Sequence, residues 1–291
     1  IGWLGTIHTL LLGIGLNLAV ATWLFLVTNP PSWGRGVIGL TLLAGLVTAG
    51  AWEIFAQPIL FGMTVIGNVT RPVFKSPLTV YEIAQLQEQL FVEEGINATV
   101  TVARDENDIY LRTDGKIEAS TGDHQTQMLV AYIPLGLHPQ PRRVLVIGFG
   151  SGASVYAASQ FAGVERIDCV EIEPAVLRAA SHLERLNHGV HKNPKVRLIV
   201  DDARNFLSAS RERYDAILSE PSYLWSAGIA GLFTREFYQQ VREHLEPGGV
   251  FLQWVQGYQL GPADFKTVLR TLGSAFEQMS LWRGSQGDLI L

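Results

Sequence analysis

The sequence predicts an α/β protein in which a mostly parallel, doubly wound sheet follows a small antiparallel β domain and an N-terminal pair of transmembrane helices. Three observations support this order: the charge-poor segment 1–70, the alternating polar and apolar runs of 97–121, and apolar strands that alternate with amphipathic helices from residue 143 onward. Strands that alternate with helices are typical of parallel sheets. The chain has 291 residues, enough for more than one such unit.

Residues 1–70 contain only two charged side chains, Arg35 and Glu53. Because about 20 apolar residues suffice for one membrane crossing, we predict two transmembrane helices, at about 4–27 and 36–66. A signal peptide fits poorly, since the first run is long and lacks a basic start, and buried core helices are the alternative. The positive charges of the loops favour a cytoplasmic location for the soluble part. The sequence therefore predicts a multi-pass protein of the cell (inner) membrane, with the lipid bilayer as a partner.

The segment 71–141 is predicted to be a linker helix followed by the small β domain. Apolar residues spaced by three and four indicate a helix over 79–91. Three alternating runs bounded by turn residues indicate strands, at 97–104, 108–113 and 116–121. A second helix is predicted over 127–137 and leads into the larger domain.

The segment 142–291 carries the pattern of the parallel sheet. Predicted strands cover 144–148, 166–173, 196–200, 214–220 and 248–255, and a last strand begins at 288. Predicted helices cover 152–162, 174–186, 203–210 and 234–245. The net charge of −5 and the mixed charge of these helices argue against nucleic-acid binding. His182, His188 and His191 lack an acid or Cys at ligand spacing, so we predict a solvated face and no metal.

The ends of the predicted strands carry the candidate ligand-binding residues, because ligands of open parallel sheets bind beyond the carboxyl ends of the strands. The first strand ends in Gly148, Gly150, Ser151 and Gly152, a turn that exposes backbone amides at a helix start. Glu171 ends the second strand, 19 residues after Gly152, the spacing at which a carboxylate can hold ribose hydroxyls.

Asp202 and Ala203 follow the third strand, where the acid can contact an adenine amino group, cap the next helix, or do both. The glycine turn also satisfies the dinucleotide pattern, with Ala153 in place of its last glycine. Nothing in the sequence supplies a second nucleotide half, however. We therefore predict a site for an S-adenosylmethionine-type nucleotide.

The stretch from about Leu90 to Trp254 resembles the spermidine synthase family, the polyamine aminopropyltransferases, and in particular its bacterial membrane-fused branch. The matching motifs, in chain order, are DGK, QMLVAYIP, HPQP, VLVIGFGSG, VEIEP, DDARNFL, SEPSYLWSAG, LFTREFY and LEPGGVFLQWVQ. The resemblance implies a Rossmann-like class I S-adenosylmethionine-transferase domain. It also implies transfer of an aminopropyl group from decarboxylated S-adenosylmethionine to an amine (polyamine) acceptor, and a possible homodimer.

The resemblance also implies roles for individual residues. Glu220 takes the place of the family's first Asp after the fourth strand, and is the candidate base. Ser151 stands where the family has the Asp that holds the donor's amine, and Thr126 where it has a catalytic Tyr. The candidates for substrate binding are Gln127, Asp123, Tyr223 and Trp225, with Glu118 as a further acid. Tyr223 and Trp225 could contact a cation through their ring faces or could be packing residues.

Two other functions stay open on the sequence. One is a methyltransferase that uses ordinary S-adenosylmethionine. Ser151 favours it, because a neutral residue at this position does not select the decarboxylated donor over the ordinary one. A non-catalytic module that binds a nucleotide or an amine is favoured by the absence of the family's Tyr and second Asp.

Overall fold

The protein is described here from a computed structural model, which covers residues 5–27, 44–45, 87–222, 224, 228–257, 260–284 and 287–291. The chain divides into two units, Ile1–Gln87 and Glu88–Leu291. The predicted domain boundaries near residues 70 and 141 stay predictions.

The first unit contains helix α1, Gly5–Val27, which covers most of the first predicted membrane segment. The predicted second segment, 36–66, lies outside the described residues apart from 44–45. Within the described part of the chain, no helix has both the length and the apolar character that a membrane span requires. A span needs both over about 20 residues. The predicted inner-membrane location is therefore wrong.

The second unit begins with an antiparallel sheet of four strands in the order β1-β2-β3-β4. Its strands are β1 Glu88–Glu94, β2 Thr99–Arg104, β3 Ile109–Thr113 and β4 Lys116–Ser120. Three of these strands confirm the predicted alternating runs. The helix predicted over 79–91 is wrong for 88–91, because that segment pairs with β2 from Glu88 opposite Arg104 to Glu94 opposite Thr99. The residues 79–86 lie outside the described part.

The second sheet has seven strands in the order β10-β11-β9-β8-β5-β6-β7. Its strands are β5 Arg143–Ile147, β6 Arg166–Glu171, β7 Val196–Val200, β8 Tyr214–Ser219, β9 Leu245–Gln256, β10 Trp282–Arg283 and β11 Asp288–Ile290. The five strands β5 to β9 are parallel, while β11 pairs antiparallel with β9 and β10 antiparallel with β11. The sheet is therefore mixed, and only its edge departs from the predicted parallel pattern.

Helices cover both faces of the seven-stranded sheet. They are α2 His124–Leu137, α3 Ala153–Ser159, α4 Pro174–Ala179, α5 Glu184–Asn187, α6 Ala203–Ala209, α7 Arg235–Glu243 and α8 Pro262–Gly273. Val144 and Val146 of β5 pack in a core with α2 to α5, while Leu145 and Ile147 pack in a second core with α6 to α8. Because both faces are buried, β5 is continuously apolar. Because β5, β6, β7 and β8 run parallel, their carboxyl ends lie along one edge of the sheet.

Candidate active site

The loop between β5 and α3 is shaped by three glycines with positive φ: +90° at Gly148, +53° at Gly150 and +85° at Gly152. A Cβ atom on Gly148 would lie 2.6 Å from the carbonyl oxygen of Glu220, and one on Gly152 would lie 2.6 Å from the Phe149 ring. A Cβ on Gly150 would meet nothing within 4 Å. The loop therefore packs tightly on two sides and faces open space at Gly150, as a loop that receives a ligand must.

Glu171, at the end of β6, holds this loop in place. Its Oε2 accepts a hydrogen bond from the backbone N–H of Phe149, and its Oε1 one from that of Glu173, both at 2.9 Å. Burial raises the pKa of the Glu171 carboxyl, and the two amide donors oppose that rise. Glu171 thus has a structural role in the glycine loop, and its predicted contact with ribose hydroxyls stays a prediction.

Asp202 and Ala203 lie at the next strand end, after β7. The Asp202 carboxylate accepts from the backbone N–H of Arg204 at 2.8 Å, and its second oxygen pairs with the Arg204 guanidinium at 2.8 Å. The hydrogen bond from Arg204 lowers the pKa of Asp202. The helix-capping role is confirmed, and Ala203 opens helix α6. A contact with adenine stays a prediction for both residues.

Ser151, in the middle of the glycine loop, is buried. Its hydroxyl donates to Gln127 Oε1 at 2.5 Å and accepts from the backbone N–H of Ala153 at 3.2 Å. Gln127 in turn donates to Asp123 Oδ2 at 3.4 Å. The structure therefore brings Ser151, Gln127 and Asp123 together, as expected of residues that share one site.

Asp123 immediately precedes helix α2, and its Oδ1 accepts from the backbone N–H of Ser120 at 2.6 Å and from the Ser120 hydroxyl at 3.1 Å. Burial nevertheless raises the pKa of the Asp123 carboxyl. Asp123 is thus a partly buried acid that is hydrogen-bonded only to neutral groups among the described residues.

Glu220 follows the last residue of β8 and faces the same region. Burial is the main cause that raises the pKa of Glu220 to about 8; the carboxylates of Asp123 and Asp288 raise it further, and the Ser154 hydroxyl lowers it. A carboxyl that titrates near neutral pH can both accept and return a proton, which is the property of a general base.

Asp288 is a site residue that the strand-end reasoning missed. It is the first residue of β11, where it pairs with Gln256 near the end of β9. Because β11 runs antiparallel to β9, its beginning lies at the edge where the parallel strands end. Thr126, which stands at the position of the family's Tyr, hydrogen-bonds to Asp288. The acidic residue at the start of the last predicted strand was the available signal.

Glu118, the further acid, already has a cation. Lys116 Nζ lies 2.8 Å from Glu118 Oε1, with both side chains about 15% exposed. Ser222 of the loop after β8 donates to the same carboxylate oxygen at 2.9 Å, and Lys116 also hydrogen-bonds to Ser222. The Lys116 ammonium therefore competes with any substrate cation for Glu118. The contacts among Lys116, Glu118 and Ser222 join the β3–β4 hairpin to the loop of Glu220.

Two predicted residues, Tyr223 and Trp225, lie outside the described residues. In the part of the chain that the structure covers, no group of three or more His, Cys, Asp or Glu side chains has an arrangement that could hold a metal ion.

Comparison with known proteins identifies the family of the chain. A family model described as the spermine/spermidine synthase domain matches residues 123–282. The chain belongs to the spermine/spermidine synthase family. The match covers more than half of the chain and includes Asp123, Ser151, Glu171, Asp202 and Glu220. The family predicted from the motifs is therefore confirmed.

Family members of known sequence include two named polyamine aminopropyltransferase. The one from Oceanobacillus iheyensis is 28% identical over 243 residues, which is 82% of this chain and 43% of that protein. The one from Sodalis glossinidius is 31% identical over 174 residues, 59% of this chain and 60% of that protein. The chain spans about half the length of the curated relatives it matches.

Family members of known structure show the same fold. Spermidine synthase from Thermotoga maritima superposes with a TM-score of 0.63 at 21% identity, over 69% of this chain and 70% of that one. A spermidine synthase in complex with the transition-state analogue AdoDATO superposes with a TM-score of 0.65 at 20% identity, over 69% and 71%. The predicted Rossmann-like α/β fold with a separate antiparallel sheet is confirmed.

Proposed function

We propose that the chain is a transferase that moves an aminopropyl group from decarboxylated S-adenosylmethionine to an amine acceptor, with Glu220 as the base. The observation that carries the proposal is the position of Glu220: its carboxyl titrates near pH 8 at the end of β8, and its backbone packs against Gly148 of the glycine loop. A proton acceptor thus lies beside the candidate nucleotide site. The family relationship supports the same reaction class.

The nucleotide half of the proposed site is formed by the strand ends. Gly148, Gly150 and Gly152 give a loop whose open side at Gly150 can receive the adenosyl group. Glu171 lies against this loop and has lone pairs left for ribose hydroxyls. Asp202 and Ala203, one strand further along the edge, would contact the adenine. The co-substrate would therefore lie across β5, β6 and β7.

The charge of the site favours the decarboxylated donor. The carboxylates of Asp123 and Asp288 raise the pKa of Glu220, and that of Asp123 also raises the pKa of Asp288. A carboxylate on the donor would add a further negative charge to this group. The decarboxylated donor has a sulfonium and an amine but no carboxylate, so its charge is complementary.

The proposed reaction needs a neutral amine next to an activated carbon. An alkyl ammonium has a pKa of about 10.4, so deprotonation at neutral pH costs about 4 kcal/mol. Glu220 would accept that proton while the nitrogen lone pair attacks the carbon beside the sulfonium. A C–N bond forms, the C–S bond breaks, and its electron pair stays on sulfur as the neutral thioether of methylthioadenosine. Orientation of the two reactants supplies much of the remaining rate.

The test is product analysis with the purified chain. Incubation with decarboxylated S-adenosylmethionine and a panel of di- and polyamines is expected to yield methylthioadenosine and an amine longer by one aminopropyl group, detected by mass spectrometry. Glu220→Gln is expected to lower kcat by about 100-fold or more, in the range of general-base catalysis. Glu277→Gln is the matched control, because Glu277 is exposed and remote in sequence. Absence of any such product across the panel would contradict the proposal.

A methyltransferase is the second candidate, and the neutral, buried Ser151 is the observation that favours it. The same assay separates the two, since ordinary S-adenosylmethionine would yield a methylated amine and S-adenosylhomocysteine. Tighter calorimetric binding of the ordinary donor than of the decarboxylated donor would favour methyl transfer.

A further inference from the structure

Asn187, the last residue of helix α5, is 0% exposed and lies against the glycine loop. Its Nδ2 group donates to the carbonyl oxygens of Ser151 and Ala180, both at 2.9 Å. Its Oδ1 accepts from the backbone N–H of Gly189 at 2.8 Å. Two of these partners are acceptors and one is a donor. An asparagine amide satisfies all three, whereas an aspartate or a leucine of the same shape would not.

The contact with Ser151 fixes one peptide group of the loop. The peptide between Ser151 and Gly152 is held on both sides, because its carbonyl accepts from Asn187 and its N–H donates to the Phe149 carbonyl oxygen at 2.7 Å. A Cβ atom on Gly152 would lie 2.9 Å from the Cβ of Asn187. The asparagine therefore packs directly on the loop and sets the orientation of this peptide group.

Glu171 and Asn187 hold the loop at two separate points. Glu171 accepts from the N–H of Phe149, near the start of the loop, and Asn187 donates to the carbonyl of Ser151, near its end. Between these two points lies Gly150, the residue with open space around it. Because the loop is fixed on both sides of its open position, it is ordered before a ligand binds. Such order lowers the entropic cost of binding.

The chain after Asn187 has the conformation that this contact needs. His188 has a φ of +50° and Gly189 one of +71°, and a positive φ is uncommon for any residue other than glycine. The bond from the Gly189 N–H to the Asn187 side chain closes an Asx turn. The His188 ring also lies 4.2 Å from that of Tyr156 in α3, between centroids. The turn thus has a second attachment to α3, which does not depend on the asparagine amide.

We propose that Asn187 is a positioning residue of the nucleotide site: it holds the Ser151 carbonyl so that the glycine loop keeps its ligand-binding conformation. Asn187 itself contacts no ligand, since it is fully buried and its amide is occupied by the three backbone groups. The inference deepens the proposed function, on which it rests for the class of ligand, an adenosyl sulfonium or thioether. It applies to an aminopropyl donor and to a methyl donor alike, because both contain the adenosyl group.

Calorimetry with the full chain tests the inference, with methylthioadenosine, S-adenosylmethionine and decarboxylated S-adenosylmethionine as ligands. Asn187→Leu keeps the branched shape of the side chain and removes both N–H donors. It is expected to weaken those of the three ligands that the wild type binds by about tenfold or more, the scale of a lost buried hydrogen bond. In the transfer assay, KM for the donor is expected to rise by about the same factor, and KM for the amine to stay within about threefold of the wild type.

Tyr214→Phe is the matched control for loss of a buried hydrogen bond. Tyr214 is 1% exposed, and its hydroxyl donates to Asp168 at 2.9 Å, at the beginning of β8 and so far from the ligand-binding edge. Both variants are expected to lower the urea midpoint, and only Asn187→Leu to lose affinity. Asn187→Ser keeps one O–H donor in a smaller side chain and is expected to bind with intermediate affinity. It provides the test if Asn187→Leu does not fold.

Wild-type affinities in the Asn187 variants would overturn the inference, and so would an equal loss of affinity in Tyr214→Phe. Failure of the wild type to bind any of the three ligands would overturn it as well. The outcome is separable from that of the proposed function. Weaker binding in Asn187→Leu without any aminopropyl transfer by the wild type would overturn the proposed reaction and leave this inference standing. Transfer by the wild type with unchanged donor affinity and KM in Asn187→Leu would overturn this inference and leave the reaction standing.

Discussion

The backbone of Gly148 lies against the backbone of Glu220, so closely that a Cβ atom on Gly148 would be 2.6 Å from the Glu220 carbonyl oxygen. The contact joins the ends of the neighbouring strands β5 and β8, whose last residues Ile147 and Ser219 are paired in register. The N–H of Glu220 also donates to the Ile147 carbonyl at 3.0 Å. Glu220, the proposed base, therefore helps to position the glycine loop that is proposed to bind the nucleotide, and the loop in turn helps to position Glu220.

Gly148→Ala tests this contact. The methyl group would collide with a backbone atom, and the φ of +90° is unfavourable for alanine. We expect methylthioadenosine to bind at least about tenfold more weakly and the free energy of unfolding to fall by about 2 kcal/mol, the scale of a residue forced into a sparsely populated backbone region. Calorimetry and urea denaturation measure the two quantities.

Gly136→Ala is the matched control for the glycine variant. Gly136 is exposed in helix α2, and a Cβ atom there would meet nothing within 4 Å. Alanine is expected to leave binding unchanged and to raise the free energy of unfolding by about 0.5–1 kcal/mol. Wild-type affinity and stability in Gly148→Ala would show that the two loops move independently.

The sequence predicts the central strands well because their signal is local. Val144 to Ile147 are apolar on both faces of β5, and Glu171 is the last residue of β6, at a distance from Gly152 that can be counted in the sequence. The segment that forms β1 has the apolar spacing of a helix, whereas its pairing with β2 decides its conformation. Such pairing is a tertiary interaction, which overrides local preference.

The parts of the site that the sequence could not predict depend on contacts between distant residues. Asp288 reaches the site only because β11 pairs antiparallel with β9, so that its first residue, and not its last, lies at the ligand-binding edge. Likewise, Lys116 and Ser222 are 106 residues apart in the chain, and the sequence around each residue does not predict their contact. The burial that raises the pKa of Glu220 also comes from the folded arrangement.

Lys116→Met tests whether the ion pair with Glu118 positions the loop of Glu220. Without the ammonium, Glu118 keeps a poorly solvated charge and Ser222 loses one of its two partners. We expect kcat to fall by about tenfold through misplacement of the base, while methylthioadenosine binds within about threefold of the wild type. Steady-state kinetics with separate kcat and KM values, together with calorimetry, measure this.

Two further variants interpret the lysine result. Lys116→Arg keeps a cation and is expected to recover part of kcat, which loss of general stability would not explain. Lys192→Met breaks the exposed pair with Glu184, a contact of 2.7 Å, and is expected to change stability by less than about 1 kcal/mol and kcat not at all. Equal kcat values for Lys116→Met and the wild type would mean that the hairpin does not position the loop.

The raised pKa of Glu220 predicts how stability depends on pH. The group has a pKa of about 8 in the folded chain, against about 4.3 for an unperturbed glutamic acid. Between these values the folded state binds more protons than the unfolded state, so the free energy of unfolding falls as pH rises. Asp288, with a pKa of about 6, adds to the fall at the acidic end of this window. The stabilising contribution is complete below about pH 4 and is lost as pH passes 8.

Urea denaturation at pH 5, 6.5 and 8 measures this dependence. The wild type is expected to lose stability steadily across the series, and Glu220→Gln, which cannot ionise, is expected to lose about 3–4 kcal/mol less between pH 5 and 8. Glu277→Gln, at an exposed position, is expected to follow the wild type. Burial of Glu220 raises its pKa, and this raised pKa causes the pH dependence of stability and also makes the carboxylate basic at neutral pH. If the free energy of unfolding depends on pH equally in Glu220→Gln and the wild type, Glu220 is not the base.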